Sequence, residues 1–388
     1  MAGISIFKLL AVLSGLAFAL MALLQGKRIA AVYSGPSILA LVMLGAMAIS
    51  LTYTSVPVPE ALSVLTKYAK LLLIPVVALL IRNRHQALTA LGFYVVTQSF
   101  IVLSSWLLYF GVPLIWAPAN ASKLGIMYSS YLDQSILTAG FAAIVWHLRS
   151  AFPTNFGRKV ALALTILAAL NLLFVLSGRS GQVCLIAATA ITAWWAMPNK
   201  LRPFAFILPV FVLGVAMLLS PQLNQRYAMV LQEVVAFQSE SNGFKNTSSG
   251  QRLNYWRKSL EAISERPILG YGVGTWQQQY YRLESGQPSS VSAAVRNPHQ
   301  EYLFWAVQLG GLGALLLLAW LASFWWSARQ FEDSIMRCTI AFLVVFAVAC
   351  ALNSALYDGL VGDYFCTLLA VLLSLGRHTL PVHTELSA

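Results

Sequence analysis

Residues 300–327 read QEYLFWAVQLGGLGALLLLAWLASFWWS, a run whose only charged residue is Glu301 near its front. A helix needs about 20 consecutive apolar residues to cross the hydrocarbon core of a bilayer, and this run supplies them. Comparable runs lie at 5–24, 36–54, 64–81, 87–110, 129–147, 159–176, 181–197, 204–220, 338–356 and 361–376. The composition agrees: 59% of the 388 residues are hydrophobic, 10% are charged and the mean hydropathy is +0.72, which excludes an ordinary soluble domain. The expected fold class is an all-α polytopic membrane protein, a bundle of 11–12 transmembrane helices with one large outward loop. The chain divides into N-terminal transmembrane helices over 1–220, the large loop over 221–299, and C-terminal transmembrane helices with a short tail over 300–388. The first run has no small-residue cleavage site behind it and reads as a retained anchor.

A net charge of +12 raises the question of nucleic acid, and the placement of the charges answers it. Lys27 and Arg28, Arg82 and Arg84, Arg149 with Arg158 and Lys159, Lys200 and Arg202, and Arg329 and Arg337 punctuate alternate short loops. This is the positive-inside pattern, so the implied partner is membrane lipid and not nucleic acid. The C-terminus then faces the cytoplasm, and 55–63, 111–128, 177–180, 221–299 and 357–360 face outward. Cys184, Cys338, Cys350 and Cys366 lie in or beside apolar runs without a CxxC pair, so neither a disulfide framework nor a thiolate metal site is expected.

Within the large loop, 236–251 is polar and turn-rich. Leu253, Trp256, Leu260 and Ile263 then recur at spacings of three and four, with Arg257, Lys258, Glu261 and Glu265 between them. The spacing predicts an amphipathic helix, ended by Pro267 and Gly270, that lies on the bilayer surface or caps the bundle. The glycines of GYGVGTW, residues 270–276, are misplaced for a dinucleotide fingerprint and no strand precedes them. A turn permitting close backbone approach is the better reading, with Trp276 as an interface anchor.

Only five histidines occur in the chain, and His299 stands in RNPHQEY, residues 296–302, at the mouth of the 300–327 run. Asn297 as N-cap, Pro298 at the first helical position and Gln300 closing a capping box would put His299 in the first turn of that helix. There the positive end of the helix dipole keeps the imidazole neutral near pH 7, as a base requires. Read as ordinary structure, it is an interfacial polar side chain, and His85, His147, His378 and His383 are read that way. Arg179, in the outward SGRSG turn at 177–181, goes against the short-loop charge bias, and its planar fork suits a pair of phosphate oxygens. Bending glycines and a capping serine account for the rest of that turn. Arg252 lies near the start of the amphipathic helix, where free N–H groups favour anions; its neighbours Arg257 and Lys258 serve likewise or form a solvated face.

Lower-ranked are Lys70 and Asp133, charges within apolar runs that cost up to about 3 kcal/mol each at a helix centre. Asp358 and Asp363, in YDGLVGDY, can orient a base, hold a metal or cap helices. No HExxH or close carboxylate cluster marks a strong metal site.

The outward SGRSG turn, an R-x-x-Y-W helix containing Arg252, Tyr255 and Trp256, the G-x-G-x-G turn and the N-x-H before the next span together resemble the O-antigen ligase family. These are membrane glycosyltransferases of the GT-C type, usually described with twelve spans and a cytoplasmic N-terminus, whereas the eleven runs here put the N-terminus outside. The resemblance implies transfer of a glycan from an undecaprenyl-pyrophosphate donor to a sugar hydroxyl of a lipid A-core acceptor, in lipopolysaccharide biosynthesis. It implies an active site on the periplasmic side of the bacterial inner membrane, inversion at the anomeric carbon, and no metal or other cofactor. It further implies that His299 is catalytic and that Arg179 and Arg252 bind the pyrophosphate.

Within the same superfamily, a polysaccharide polymerase uses a lipid-linked acceptor and a protein O-oligosaccharyltransferase a Ser or Thr side chain. Members of the latter group commonly carry a further C-terminal soluble region, and this sequence stops soon after its last apolar run. An anionic-lipid transporter would use the outward arginines as a binding site, but no pair of interrupted segments suggests the inverted repeats of such proteins. A scaffold gives no reason for arginines and a capped histidine to converge.

Overall fold

The computed structural model describes residues 34–118, 125–128, 130–219, 248–284 and 295–378, with isolated positions at 17, 21 and between 224 and 232. The expected span at 5–24, most of the polar stretch 236–251, and His383 fall outside the described residues. The described elements are helices: α1 Gly35–Ile49, α2 Val58–Tyr68, α3 Leu73–Leu80, α4 Arg84–Tyr109, α5 Tyr131–Leu148, α6 Asn155–Leu170 and α7 Arg179–Ala196. They continue with α8 Ile207–Leu219, α9 Ser248–Glu265, α10 Trp276–Leu283, α11 Glu301–Ala328, α12 Asp333–Leu352 and α13 Gly359–Arg377. Among the described residues seven helical segments, α2 and α3 counting as one, are long and apolar enough to cross a membrane. The protein is an all-α polytopic membrane protein.

The expected spans at 129–147 and 181–197 appear as α5 and α7, which fall outside those seven segments. Position explains the polarity of α5. With α7 and α12 it forms the centre of the bundle, and 15 of the 18 residues of α5 are buried. A helix sheathed by other helices needs no lipid-compatible face. The outer helices do the opposite: Phe93 and Val96 on α4 are 72% and 69% exposed, a surface that acyl chains would cover.

Two expected spans are interrupted. The 64–81 run begins earlier, at Val58, and passes through a 3-10 turn over Ala69–Leu72, in which Lys70 is buried. The 300–327 run is broken at Gly310, with φ 66° and ψ −162°. The backbone groups freed by the break are taken by the turn that follows α9. Tyr271 N donates to Val307 O at 3.0 Å and Gly272 N to Gln308 O at 2.8 Å, while Gly311 N donates to Pro267 O at 2.7 Å and Leu312 N to Ile268 O at 3.5 Å. Non-helical backbone at membrane depth persists only where protein satisfies it, and here a second segment does so.

That second segment is GYGVGTW, and its glycines permit the approach as the sequence suggests. Gly270, Gly272 and Gly274 have φ of 64°, 94° and 87°. The turn also bonds to the α1–α2 link, where Thr54 Oγ1 donates to Val273 O at 2.8 Å and Val273 N donates to Ser50 Oγ at 3.0 Å. Trp276, by contrast, is no interface anchor. It is 2% exposed, its Nε1 donates to Ser259 Oγ at 2.8 Å, and its ring stacks on Tyr280.

The amphipathic helix forms as α9, but it buries a different face. Tyr255, Ser259 and Ala262 are buried, whereas Leu260 is 57% exposed. The aromatic side chains of α10 decide this, because Trp276 and Tyr280 meet the Tyr255 ring edge-on at 5.9 and 5.2 Å. Aromatic packing of this kind outweighs an aliphatic stripe one position over. The helix therefore packs on α10 and α11.

A Cβ on Gly272 would stand 2.6 Å from Thr54 Cα, on a backbone that L side chains avoid. Gly272→Ala is expected to cost about 2–4 kcal/mol through strain and overpacking. Tryptophan-monitored thermal unfolding in detergent measures this, and an unchanged midpoint would contradict the tight approach.

Candidate functional site

α9 and the segment leading into α11 meet at the end of α12, with the starts of α7 and α13 in electrostatic reach. Glu301, the first residue of α11, is fully buried and accepts four hydrogen bonds. Tyr68 Oη and Trp305 Nε1 donate to Oε1 at 2.8 and 3.0 Å, and Leu356 N and Tyr357 N donate to Oε2, both at 3.0 Å. With Glu301 drawn inward, the helix starts there.

The capping register is therefore later than the sequence suggests, and His299 precedes the first turn. Gln300 is the N-cap, its Oε1 accepting from Leu303 N at 2.5 Å. Asn297 Oδ1 instead accepts from His299 N at 2.9 Å. His299 adopts φ 51° and is the non-glycine residue with positive φ among the described residues, a conformation costing about 1–3 kcal/mol that persists only when its surroundings enforce it. Here they do so from two sides. Trp256 Nε1 donates to Pro298 O at 3.1 Å, and His299 Nδ1 lies 3.0 Å from Asn353 Oδ1. An amide oxygen only accepts, which assigns the ring proton to Nδ1 and leaves Nε2 its lone pair. Burial lowers the imidazole pKa from 6.5; the Asn353 hydrogen bond opposes that shift and the charge of Arg252 adds to it.

Arg252 reaches the same end of α12, where its Nη1 donates to Leu352 O at 3.3 Å. Burial lowers its pKa, and the charge of Arg179 does the same, so the two cations are near enough to repel. Arg179 is the first residue of α7, and its guanidinium makes no hydrogen bond or ion pair among the described residues. The SGRSG glycines serve close approach and not the bend: neither has positive φ, and a Cβ on Gly181 would come 2.5 Å from the carbonyl carbon of Ser135. Nor does a serine cap α7, since its N-cap is Gly178. Two half-buried cations within electrostatic reach of each other are a combination that can take up an anion.

The remaining sequence candidates take other partners. Tyr255 is 3% exposed, its ring centroid 6.3 Å from that of His299, and walls the imidazole. Arg257 Nη2 donates to Asn254 Oδ1 at 3.3 Å, and Lys258 Nζ pairs with Glu261 Oε2 at 3.0 Å, both within α9. Lys70 lies 3.8 Å from Asp363 and also donates to the backbone carbonyl of Asp358. Asp358 caps α13, accepting from Val361 N at 2.9 Å. Asp133 is buried in the first turn of α5, within electrostatic reach of Asp358. Lys70, Asp358 and Asp363 thus brace the turn between α12 and α13, which begins at Asn353. Among the described residues no three His, Cys, Asp or Glu side chains gather as metal ligands would.

A family model described as O-Antigen ligase matches residues 163–318, the stretch that contains Arg179, Arg252 and His299. Over that stretch the chain is similar to the O-antigen ligases. A General O-oligosaccharyltransferase of Acinetobacter baylyi is 26% identical over 156 residues, which is 39% of this chain and 26% of the length of that relative. The match therefore spans about a quarter of the relative. Leu352 and Asn353, which hold Arg252 and His299, lie beyond the matched stretch.

Sequence reading misses Asn353, Glu301 and Tyr68. The available signal for Asn353 is the Asn-Ser pair that closes the 338–356 run, whereas Glu301 resembles any first-turn acid and Tyr68 any interfacial tyrosine. The anchoring makes a signed prediction for the His299 titration. Arg252→Ala removes a like charge and should raise the imidazole pKa towards 6.5, while Asn353→Ala removes a hydrogen bond that holds it up and should lower it further. Carbon-13 histidine NMR in detergent reads both shifts, and a change in the opposite direction for either would refute the pairing.

Proposed function

We propose that the protein is an O-antigen ligase that transfers a glycan from an undecaprenyl-pyrophosphate carrier to a sugar hydroxyl of lipid A-core, at the periplasmic face of the bacterial inner membrane. One observation carries this reading: His299 and Arg252 are anchored to the neighbouring residues Asn353 and Leu352, with Arg179 close enough to Arg252 to depress its pKa. His299 and Arg252 thus share one end of α12, with Arg179 in electrostatic reach of Arg252.

In the proposed step the acceptor hydroxyl gives its proton to His299 Nε2 as its oxygen attacks the anomeric carbon. The bond from that carbon to the pyrophosphate oxygen breaks, and the electron pair leaves on the phosphate. Arg179 and Arg252 stabilise the charge that develops there, so the step draws on guanidinium charge without a divalent ion. A single displacement inverts the anomeric configuration. Bound pyrophosphate raises the pKa of a nearby imidazole; burial and Arg252, which lower it in the free protein, offset that rise.

The Acinetobacter relative, by its name an O-oligosaccharyltransferase, supports a second reading, the protein O-oligosaccharyltransferase alternative with a Ser or Thr acceptor. The base and the cations would serve without change, since either acceptor presents an alcohol oxygen. Reconstitution in liposomes with the lipid-linked glycan, offering lipid A-core and an acceptor protein separately, distinguishes the two by which one is glycosylated.

His299→Ala is expected to lower transfer about 10²–10⁴-fold while donor binding survives, and Arg179→Ala to weaken donor binding about tenfold. Normal transfer by the His299→Ala protein rules the mechanism out. Because the neutral ring is the active form and its pKa is lowered, kcat/KM of the wild type should hold down to pH 6.5 and fall only at more acid pH. An acidic limb that begins above pH 6.5 would point to a different base.

A further inference from the structure

A cavity of about 580 Å³ lies beside α10, lined by Ser55, Glu265, Arg266, Tyr271, Gln278 and Arg282, together with Gln279. Gln278 and Arg282 are one helical turn apart and share a face, while Tyr280, two residues from each, points to the other side. Tyr280 meets Tyr255, which in turn neighbours His299. The short helix is thus a wall between the cavity and the candidate site.

The lining contains no aliphatic side chain, which disfavours an acyl chain and suits a polyol. Cavities of roughly 300–1,000 Å³ hold small-molecule ligands, so one or a few sugar rings fit. The charges are unequal in sign. Glu265 is neutralised within the cavity, accepting from Tyr271 Oη at 2.5 Å and from Arg282. Arg282 Nε donates to Gln279 Oε1 at 2.7 Å. Arg266 lies over the Tyr271 ring at 4.8 Å from its centroid, and its guanidinium donates to no acceptor among the described residues. Gln278 Oε1 accepts from Ser55 Oγ at 2.6 Å, which orients the amide and leaves its N–H groups without an acceptor among the described residues.

The cavity therefore offers donors and, with Arg266 and Arg282 against Glu265, a net positive charge, on a framework fixed in advance, since Tyr271 N is bonded to Val307 O at 3.0 Å. A ligand that matches is rich in hydroxyl acceptors and carries an anionic group, which a guanidinium binds in bidentate fashion. We propose that this cavity binds an acidic sugar residue, a uronate or a phosphorylated ring, as a subsite separated from His299 by α10. Assignment of that residue to the acceptor glycan or the donor glycan rests on the function proposed above; the binding itself does not.

The test is calorimetric titration of the full chain in lipid nanodiscs with hyaluronan tetrasaccharide, which carries glucuronate, with neutral maltotetraose, and with inorganic phosphate. The acidic tetrasaccharide should bind at least about tenfold more tightly than either control. Arg266→Ala should lose about tenfold of that affinity, and His299→Ala should bind as the wild type does. Should Arg266→Ala prove unstable, Arg266→Gln keeps the side-chain stem and removes the charge. Equal binding of maltotetraose or phosphate, no saturable binding of the acidic probe, or an unaltered affinity on loss of the Arg266 charge overturns the proposal. In transfer assays, inhibition by the tetrasaccharide competitive with acceptor assigns the subsite to the acceptor glycan, and inhibition competitive with donor assigns it to the donor. Titration needs no turnover, so a protein that fails to transfer glycan can still confirm or refute the binding.

Discussion

Glu301 sits fully buried at the start of α11 and accepts hydrogen bonds from α2, from its own helix and from the turn between α12 and α13. An isolated carboxylate in such a place would cost several kcal/mol. With four donors it instead becomes the point that aligns three segments, and two of those donors are backbone N–H groups with no solvent to turn to. Leaving them unsatisfied would cost about 1–3 kcal/mol each. The consequences spread outward from this carboxylate. It sets where α11 begins, which forces His299 into left-handed backbone, and it holds the turn whose first residue, Asn353, orients the imidazole.

The spans were legible because lipid-facing helices must be apolar, and the run 87–110 coincides closely with α4. The reading of α9 as a helix was equally direct, but its buried face was not. That face depends on Trp276 and Tyr280, which belong to another helix. Local capping signals misplaced the start of α11 for a similar reason, since a buried acid with distant donors outweighed Asn297 as a cap. The break at Gly310 was invisible, because a Gly-Gly pair in an apolar run is tolerated in a continuous helix as well. What distinguishes it is a bonding partner some forty residues earlier. His299, Arg179 and Arg252 stand out in the sequence by residue type and placement; of the adjacent residues that bring two of them together at the end of α12, only Asn353 has a local signal, the Asn-Ser pair.

The match to the O-antigen ligase family over residues 163–318 contains His299, Arg179 and Arg252, but the geometry draws on residues outside it. Leu352 and Asn353 anchor Arg252 and His299, Tyr68 helps to hold Glu301, and Ser50 and Thr54 pin the glycine-rich turn. Segments far apart in the chain therefore position a constellation that the matched stretch supplies.

The interruption of α11 also bears on how the chain enters a bilayer. A continuous helix can leave a translocation channel with its backbone already paired, but this one cannot. Val307 and Gln308 give their carbonyls, and Gly311 and Leu312 their N–H groups, to a segment that precedes them in the chain. Until that segment docks, those groups face hydrocarbon at a cost of several kcal/mol. Biogenesis is thus ordered: the glycine-rich turn must be in place before α11 can settle, so membrane integration of this helix and its docking to that turn are one event.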